Sequence, residues 1–427
     1  MRSVLAAARL GRWRQLALLA FPLAFCLLAE LDLAGADRVR FGWVLVFACC
    51  LLAAHIATVV WSRHADGLVL PSGAVLSAVG LVLSRRLDPS LLTRELIWTG
   101  AGTAVLCVLL ARPRAIEMLR DYRYVALVFG LLLLAVTVVV GSDPNGSGAR
   151  LWIRAGGLTA QPSELVKLIL VGFLASFLDE HRAVLRYGRR FLGVPLSGTV
   201  YLVPMAAAVG FSVLLLVLQR DLGAGLIFFG TAAAMLYLAS ASTAHLLASL
   251  TAFVAAALVA YERFSHVQLR VAIWLDPWVS RDTGGYQIVQ GLAALAAGGL
   301  FGAGLGAGRP DLVPAAHTDY VIAVIGEELG LVGSLAVVMI YAVLVTRGFA
   351  IAAAAAPGFD AMLAAGVTSL IAIQTIVILA GTVRLLPLTG VTLPLVSYGG
   401  SSAVVTWAGI GMLIWASHRQ SGVGRGA

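Results

Sequence analysis

Residues 124–141 read YVALVFGLLLLAVTVVVG, a run of eighteen residues without one charged side chain. An α-helix needs about 20 apolar residues to cross the ~30 Å hydrocarbon layer of a membrane. Similar runs recur along the 427-residue chain, which is 60% hydrophobic and 12% charged, with a mean hydropathy of +0.95. The runs are continuously apolar and do not alternate, which excludes a membrane β-barrel. The composition therefore predicts an all-α, polytopic transmembrane helix bundle.

The chain predicts about twelve spans in a single integral membrane domain, residues 1–427. Basic residues precede the first span, as in a signal peptide. Its apolar stretch is longer than a signal-peptide core, which favours a retained helix. Two longer connections, 142–160 and 262–319, interrupt the short loops, and long connections are usually functional. Within the second, 287–300 is apolar but too short to span, as in a re-entrant or surface-lying helix. The predicted spans are 15–34, 41–61, 66–84, 94–111, 124–141, 161–178, 198–218, 222–240, 244–261, 320–346, 361–383 and 403–417.

The arginine distribution predicts an inside N-terminus and an extracytoplasmic 262–319 loop, because sixteen arginines fall in inner segments and nine in short outer loops. The net charge of +9 does not indicate nucleic-acid binding, since the arginines are spread singly and form no patch with aromatic residues. Nine is nevertheless many for outer loops, which predicts an anionic ligand on that face. The nine are Arg38, Arg40, Arg85, Arg86, Arg94, Arg150, Arg154, Arg220 and Arg384.

The first outer segment carries GARLWI at 148–153 and QPSELVK at 161–167. Glu164 and Lys167 lie three residues apart, on one helix face and about one turn into the membrane. Charges there are costly unless they pair or face a cavity. Two interpretations stay open: a structural ion pair that locks two helices, or a wet cavity in which Lys167 or Arg150 meets phosphate.

A tight outer turn, Gln219-Arg220-Asp221-Leu222-Gly223, joins two predicted spans. Asp221 suits an N-cap of the following helix. The alternative places Asp221 in the same polar outer site.

The long loop closes with Pro314-Ala315-Ala316-His317-Thr318-Asp319-Tyr320. Asp319 stands where the loop enters the membrane, beside a histidine and a threonine, which favours a general base. A helix N-cap is the structural alternative. Two turns deeper, at least one of Glu327 and Glu328 is expected to face the bundle.

The run Gly302-Ala303-Gly304-Leu305-Gly306 superficially resembles a nucleotide-binding loop, but no strand precedes it. We expect these glycines to let the backbone pack closely over the bundle.

The last outer segment, 386–402, reads LPLTGVTLPLVSYGGSS. Broken, hydroxyl-rich backbone at membrane depth is tolerated only where protein or water surrounds it. We therefore expect protein or water around this segment, whose Ser397, Tyr398, Ser401 and Ser402 are predicted site residues.

Together these strings resemble the RodA/FtsW type of the shape, elongation, division and sporulation family. The matching pieces are R-x-W-I with QPSE-x-x-K, Q-x-DLG, LDPW with GYQ, AHTD with EELG, and LPLVSYGGSS. They occur in the family's order from about residue 148 to 402, and five in order are specific. Residues 1–120 carry no recognised motif. Such proteins typically have ten spans, so the resemblance implies an additional N-terminal pair.

The resemblance implies a peptidoglycan glycosyltransferase that polymerises lipid II into glycan strands and releases undecaprenyl pyrophosphate. The family's essential loop aspartate corresponds to Asp319. Glycosyl transfer needs a base near the attacking hydroxyl and positive charge at the leaving pyrophosphate. A divalent cation, Mg or Mn, can share the second task. The outer cations to which we assign phosphate roles are Arg150, Arg154, Lys167, Arg220 and Arg384.

The resemblance further implies a class B penicillin-binding protein (transpeptidase) as partner and the bacterial cytoplasmic membrane as location. The other predicted substrate-binding residues are Trp152, Glu164, Asp221, His317, Thr318, Ser397, Tyr398, Ser401 and Ser402. Three residues depart from the family pattern: Ala315 replaces the usual glutamate, Arg220 a proline and Tyr320 a phenylalanine. The first removes a loop carboxylate and weakens any two-carboxylate site.

Two other functions fit a polar cavity in a helix bundle. A lipid-linked precursor flippase is one, but the motifs lie mainly in outer loops, and no inverted repeat is evident. A non-catalytic scaffold of the cell-wall synthesis complex is the other, and it predicts that Asp319 is dispensable.

Overall fold

The computed structural model describes residues 12–34, 41–143, 149–155, 158–187, 190–191, 194–195 and 200–423. These residues form fifteen α-helices and two small antiparallel hairpins, which confirms the all-α prediction. The helices are α1 (Arg12–Ala34), α2 (Gly42–Trp61), α3 (Val69–Leu87), α4 (Pro89–Ala111), α5 (Arg114–Asp121), α6 (Arg123–Val140), α7 (Pro162–Tyr187), α8 (Val203–Leu218), α9 (Leu222–Ser240), α10 (Thr243–Arg263), α11 (Ser265–Leu275), α12 (Tyr286–Gly298), α13 (Val321–Ala354), α14 (Phe359–Thr382) and α15 (Gly400–Val423). The strands are β1 (Ile153–Ala155), β2 (Leu158–Ala160), β3 (Arg190–Phe191) and β4 (Val194–Pro195), and single 3-10 turns cover Val200–Leu202 and Pro310–Leu312.

Each of the twelve predicted spans coincides with one of these helices. In the described residues, ten helices are long and apolar enough to cross a membrane. The other two predicted spans are α8, which is apolar but shorter, and α7, whose sequence carries charges at both ends. The chain is thus a multi-pass membrane protein.

One helix begins earlier than the apolar pattern predicts. Helix α4 was expected from residue 94 but starts at Pro89, because the Asp88 side chain accepts a hydrogen bond from Ser90 N at 2.8 Å and caps the helix. Arg94, predicted in an outer loop, therefore lies on α4. Glu95 lies inside the same helix.

The chain forms two compact units. The first comprises Met1–Arg112, Val271–Ala350 and Gln374–Ala427; the second comprises Pro113–Arg270 and Ile351–Ile373. The predicted domain boundaries, 1–120 and 262–319, stay predictions.

The long 262–319 loop contains two helices. The short apolar helix expected at 287–300 is confirmed as α12. Helix α11 was not predicted, because its sequence SHVQLRVAIWL mixes polar and apolar residues and buries none of them.

The glycine-rich run packs against a break in α13. Gly330 interrupts that helix with φ 70° and ψ −169°. Ala303 N and Gly304 N donate 2.9 Å hydrogen bonds to the carbonyls of Glu327 and Glu328. A Cβ on Gly330 would lie 2.4 Å from Gly302 N, so the two backbones touch. This confirms that the glycines permit close backbone packing.

Glu328 fixes the same loop through its side chain. It is 1% exposed, accepts a hydrogen bond from Gly306 N at 2.9 Å and pairs with Arg86 Nε at 3.1 Å. The prediction that at least one of the two glutamates is buried is confirmed.

We expect Gly330→Ala to destabilise the protein, because the added Cβ meets backbone atoms at a positive φ. The strain costs at least about 1–3 kcal/mol. Thermal melting in detergent should fall by several degrees. Gly210→Ala, on α8 with nothing within 4 Å of the added Cβ, is the matched control and should keep or slightly raise the melting temperature, because alanine favours a helix. Equal melting temperatures for the two variants would contradict the packing described here.

Candidate active site

The loop that carries the predicted base is a tight turn before α13. Ala315 adopts φ 52°, and its carbonyl accepts the backbone N–H groups of Thr318, Asp319 and Tyr320 at 3.0, 3.2 and 3.3 Å. One carbonyl thus organises three successive residues. The turn fixes the backbone at Asp319 immediately before the helix begins at Val321.

Two hydrogen bonds join this loop to the 386–402 segment. Ser397 Oγ donates to the Thr318 carbonyl at 2.5 Å, and Tyr398 N donates to the His317 carbonyl at 2.8 Å. The rings of His317 and Tyr398 meet edge to face, with centroids 6.0 Å apart. Four of the predicted site residues therefore lie together. Two of them, His317 and Thr318, directly precede Asp319 in the chain.

Asp319 itself is half-buried. A Cβ built on Gly390, which has φ 71°, would lie 3.7 Å from its Oδ2, so the turn at 390 passes beside the carboxylate. The next residue, Tyr320, is fully buried, and a Cβ on Gly291 would lie 2.2 Å from its ring. Burial raises the pKa of Tyr320, and the negative charge of Asp319 raises it further. The Tyr320 hydroxyl has no hydrogen-bond partner among the residues that the structure describes.

His317 has an acidic neighbour that the sequence did not reveal. Burial lowers the pKa of its imidazole, and the Asp88 carboxylate only partly offsets that effect. The ring is therefore neutral at neutral pH. Asp88 is itself exposed, at the N-terminus of α4. Residues 1–120 carry no motif, so only the Asp-Pro helix-start signature at 88–89 pointed to this position.

Side chains from three other elements satisfy the broken backbone around the site. Gln287 Nε2 donates to the Pro314 carbonyl at 3.2 Å, and Gln374 Nε2 donates to the Thr392 carbonyl at 2.8 Å. Tyr341 Oη donates to the Pro394 carbonyl at 2.5 Å. These bonds place protein groups around this backbone, which is one of the two surroundings that the sequence allowed.

Ser401, Ser402 and Arg384, all predicted to bind substrate, differ in their burial and contacts. Ser401 is half-buried, whereas Ser402 is 5% exposed. Arg384 donates from Nε and Nη2 to the carbonyls of Trp274 and Leu275, both at 3.0 Å, at the C-terminal end of α11. A cation at a helix C-terminus is stabilising, so this arginine caps α11.

The second unit holds its own polar cluster. Lys167 Nζ lies 2.7 Å from Glu164 Oε2, with both side chains at most 6% exposed. Asp221 is 5% exposed, accepts a hydrogen bond from Ala224 N at 2.9 Å and another from Gln161 Nε2 at 3.3 Å. Asp221 is thus an N-cap, and it also belongs to this buried polar cluster. Burial raises the pKa of Asp221, and the Ala224 N–H and Lys167 partly offset this rise.

Arg150 and Trp152 belong to a strand-like segment held against the end of α6. Ser142 N donates to the Trp152 carbonyl at 2.7 Å, and Trp152 N donates back to Ser142 O at 3.3 Å. Trp152 is half-buried, whereas Arg150 is exposed. Arg154 and Arg220 are exposed as well, whereas Lys167 and Arg384 already have protein partners.

No group of three or more His, Cys, Asp or Glu side chains that could hold a metal occurs in the part of the chain that the structure describes. Residues 313–320 contain a single acidic side chain, Asp319. Mg²⁺ is commonly held by one or two carboxylates plus substrate phosphates. A divalent cation here would take most of its ligands from substrate and water.

Comparisons with known proteins identify the family of this chain. The family model described as "Cell cycle protein", which covers FtsW, RodA and SpoVE, matches residues 48–422. The chain belongs to this RodA/FtsW family. The match begins inside α2 and includes every residue predicted for the site.

Relatives named RodA and SpoVE match over most of their length. The peptidoglycan glycosyltransferase RodA of Mycobacterium tuberculosis is 39% identical over 395 residues, which cover 90% of this chain and 84% of the relative. Stage V sporulation protein E of Bacillus subtilis is 34% identical over 327 residues, covering 75% of this chain and 85% of the relative.

Solved structures match the fold of this RodA/FtsW family member. A chain from a peptidoglycan synthase complex has a TM-score of 0.68 and 31% identity, covering 83% of this chain and 98% of its own. The Rod shape determining protein RodA of Thermus thermophilus has a TM-score of 0.57 and 29% identity, covering 83% and 97%.

Ser397→Ala should destabilise the joined loops, because the hydroxyl also accepts a 2.9 Å bond from Leu393 N. Loss of a buried partner costs about 1–3 kcal/mol, which should appear as a lower melting temperature. Ser402→Ala is the matched control, since Ser402 Oγ has no hydrogen-bond partner among the described residues. A Ser397→Ala protein as stable as Ser402→Ala would show that the loops do not depend on this hydroxyl.

Proposed function

We propose that this chain polymerises lipid II into glycan strands at the outer face of the bacterial cytoplasmic membrane, with Asp319 as the general base. The class of enzyme follows from the family and from relatives named peptidoglycan glycosyltransferases: the chain is a glycosyltransferase of peptidoglycan synthesis. The observation that carries the proposal is the half-buried Asp319, held in a turn that two other segments brace.

The reaction needs one proton transfer and one displacement. The sugar 4-hydroxyl of one lipid II loses its proton to the Asp319 carboxylate. Its oxygen then attacks the anomeric carbon of the pyrophosphate-linked sugar on the other glycan chain. The bond from that carbon to the pyrophosphate oxygen breaks, and undecaprenyl pyrophosphate leaves with the electron pair. General base catalysis of this kind contributes about 10²–10⁴-fold. A neutral His317 beside the turn adds no positive charge that would make Asp319 a weaker base.

Positive charge stabilises the leaving pyrophosphate. Among the five cations assigned to this task, the exposed Arg150, Arg154 and Arg220 are the better candidates, because Lys167 and Arg384 already have protein partners. Arg150 remains our first choice, since it lies in the R-x-W-I motif and its guanidinium can bind phosphate in a bidentate manner. A divalent cation stays part of the proposal only as an ion that the substrate phosphates bind.

The partner and the cellular role are proposals of the same kind. The structural neighbour with a TM-score of 0.68 comes from a peptidoglycan synthase complex that coordinates polymerization and crosslinking. A class B penicillin-binding protein would supply the crosslinking activity here. Relatives named RodA align over 88–90% of this chain, against 71% for FtsW of Geobacter metallireducens, which favours the shape-determining role.

Asp319→Asn should reduce glycan polymerisation by at least about 100-fold, because the amide keeps the size but cannot accept the proton. The measurement is glycan length after purified protein is incubated with lipid II. Asp311→Asn is the matched control, since its side chain is 67% exposed in the same loop. Normal polymerisation by folded Asp319→Asn would exclude Asp319 as the base, whereas absence of polymerisation by the wild-type protein would favour a flippase or a scaffold.

Arg150→Ala should raise the lipid II concentration needed for half-maximal turnover at least about tenfold. The basis is a charge-assisted hydrogen bond of about 1.5–3 kcal/mol. Arg150→Lys should restore binding only partly, because lysine lacks the bidentate fork. Arg281→Ala, with its side chain 68% exposed beside Asp282, is the control. Unchanged kinetics with reduced membrane insertion would leave Arg150 only a topological role.

A further inference from the structure

A buried carboxyl group on α4 lies against the other end of the candidate site. Glu95 is 3% exposed and accepts a hydrogen bond from the backbone N–H of Gly399. Its Oε2 has no hydrogen-bond partner among the described residues. One turn further along, the Trp98 ring would lie 2.3 Å from a Cβ on Gly400, so this face of α4 touches the two glycines directly.

Glu95 differs from the other buried acids of the same unit. Glu30, Asp66 and Glu328 each pair with an arginine. Within the described residues Glu95 has no such cation, and its contact is the N-terminal end of α15, which begins at Gly400. The N–H groups at a helix start lack intrahelical partners, and the helix dipole favours negative charge there. Glu95 therefore anchors the start of α15 from a neighbouring helix.

Burial of a carboxyl group without a cation is costly, and an apolar residue is often the more stable choice at such a position. Stability of the fold alone therefore does not account for Glu95. Its contact leads directly to the active loop. Gly399 follows Ser397 and Tyr398, and these two residues hold the carbonyls of Thr318 and His317.

We propose that Glu95 is a positioning residue for Asp319, acting through Gly399 and the two hydrogen bonds that join the loops. The proposal rests on the proposed function, because it takes Asp319 as the base. Glu95 holds the 397–399 backbone, this backbone holds 317–318, and the Asp319 carboxylate is thereby kept where the sugar hydroxyl arrives. A displacement of about 1 Å in such a group can cost about 100-fold in rate.

Three substitutions separate positioning from a general structural role. Glu95→Ala removes the acceptor and should lower kcat for lipid II about 10- to 100-fold with KM unchanged. Glu95→Gln keeps a carbonyl oxygen at the same reach and should retain most of the wild-type kcat. Glu95→Asp keeps the carboxyl group but is one methylene shorter, so it should resemble alanine.

The control is Thr103→Ala, two turns further along α4. Thr103 is also 3% exposed, and its hydroxyl donates to carbonyls of its own helix at 3.0 Å. It should keep the wild-type kcat. Melting temperatures are measured for all variants, so that a lower kcat caused by a loss of stability can be recognised. If Glu95→Ala does not fold, the comparison of Gln with Asp decides.

A wild-type kcat in Glu95→Ala or Glu95→Asp would overturn the proposal, as would a kcat in Glu95→Gln as low as in Glu95→Asp. The same assays include Asp319→Asn. If that variant is active, the assignment of Asp319 as the base in the proposed function fails. If it is inactive while the Glu95 variants are normal, only the positioning role fails.

Discussion

The hydrogen bonds from Ser397 Oγ and Tyr398 N to the carbonyls of Thr318 and His317 are the interaction on which the candidate active site depends. Both segments are irregular backbone, and irregular backbone near a membrane must find its partners within the protein. The Ser397 hydroxyl satisfies one backbone group of each segment: it donates to the Thr318 carbonyl and accepts a hydrogen bond from Leu393 N. The loop with Asp319 therefore takes its shape from a segment 79 residues away, and neither loop is defined without the other.

A second constraint concerns the arginines. Their excess in the outer loops predicted an anionic ligand. Arg38 and Arg40 lie outside the described residues, and three of the other seven have internal partners. Arg85 pairs with Glu30, Arg86 with Glu328, and Arg384 donates to carbonyls at the end of α11. Buried charges need partners before anything else, so part of the excess is structural. Exposed cations such as Arg150 are then the candidates for phosphate binding.

The sequence predicted the helices well because apolar length is a strong local signal. Every predicted span coincides with a helix. The misses occur where polar residues interrupt the pattern: α11 was not found, and α4 was started at residue 94 instead of Pro89. The predicted span included Glu95, but no role was assigned to this residue. For the site, motifs located both loops, but their pairing is long-range and leaves no local trace. A lone glutamate close to an apolar run was the available signal for Glu95, since intramembrane acids are usually functional.

A buried ion pair also anchors the N-terminal helix, α1. It precedes the region that matches the family model, which starts at residue 48. Its Glu30 is fully buried and accepts hydrogen bonds from Trp43 Nε1 at 3.1 Å and Arg85 Nε at 3.0 Å. Removal of one partner from a buried ion pair typically costs about 3–5 kcal/mol. The adjacent Arg86 holds Glu328 and, with it, the glycine-rich loop behind the break in α13. Helix α1 is therefore anchored next to the residue that organises this loop, and it is an integral part of the first unit.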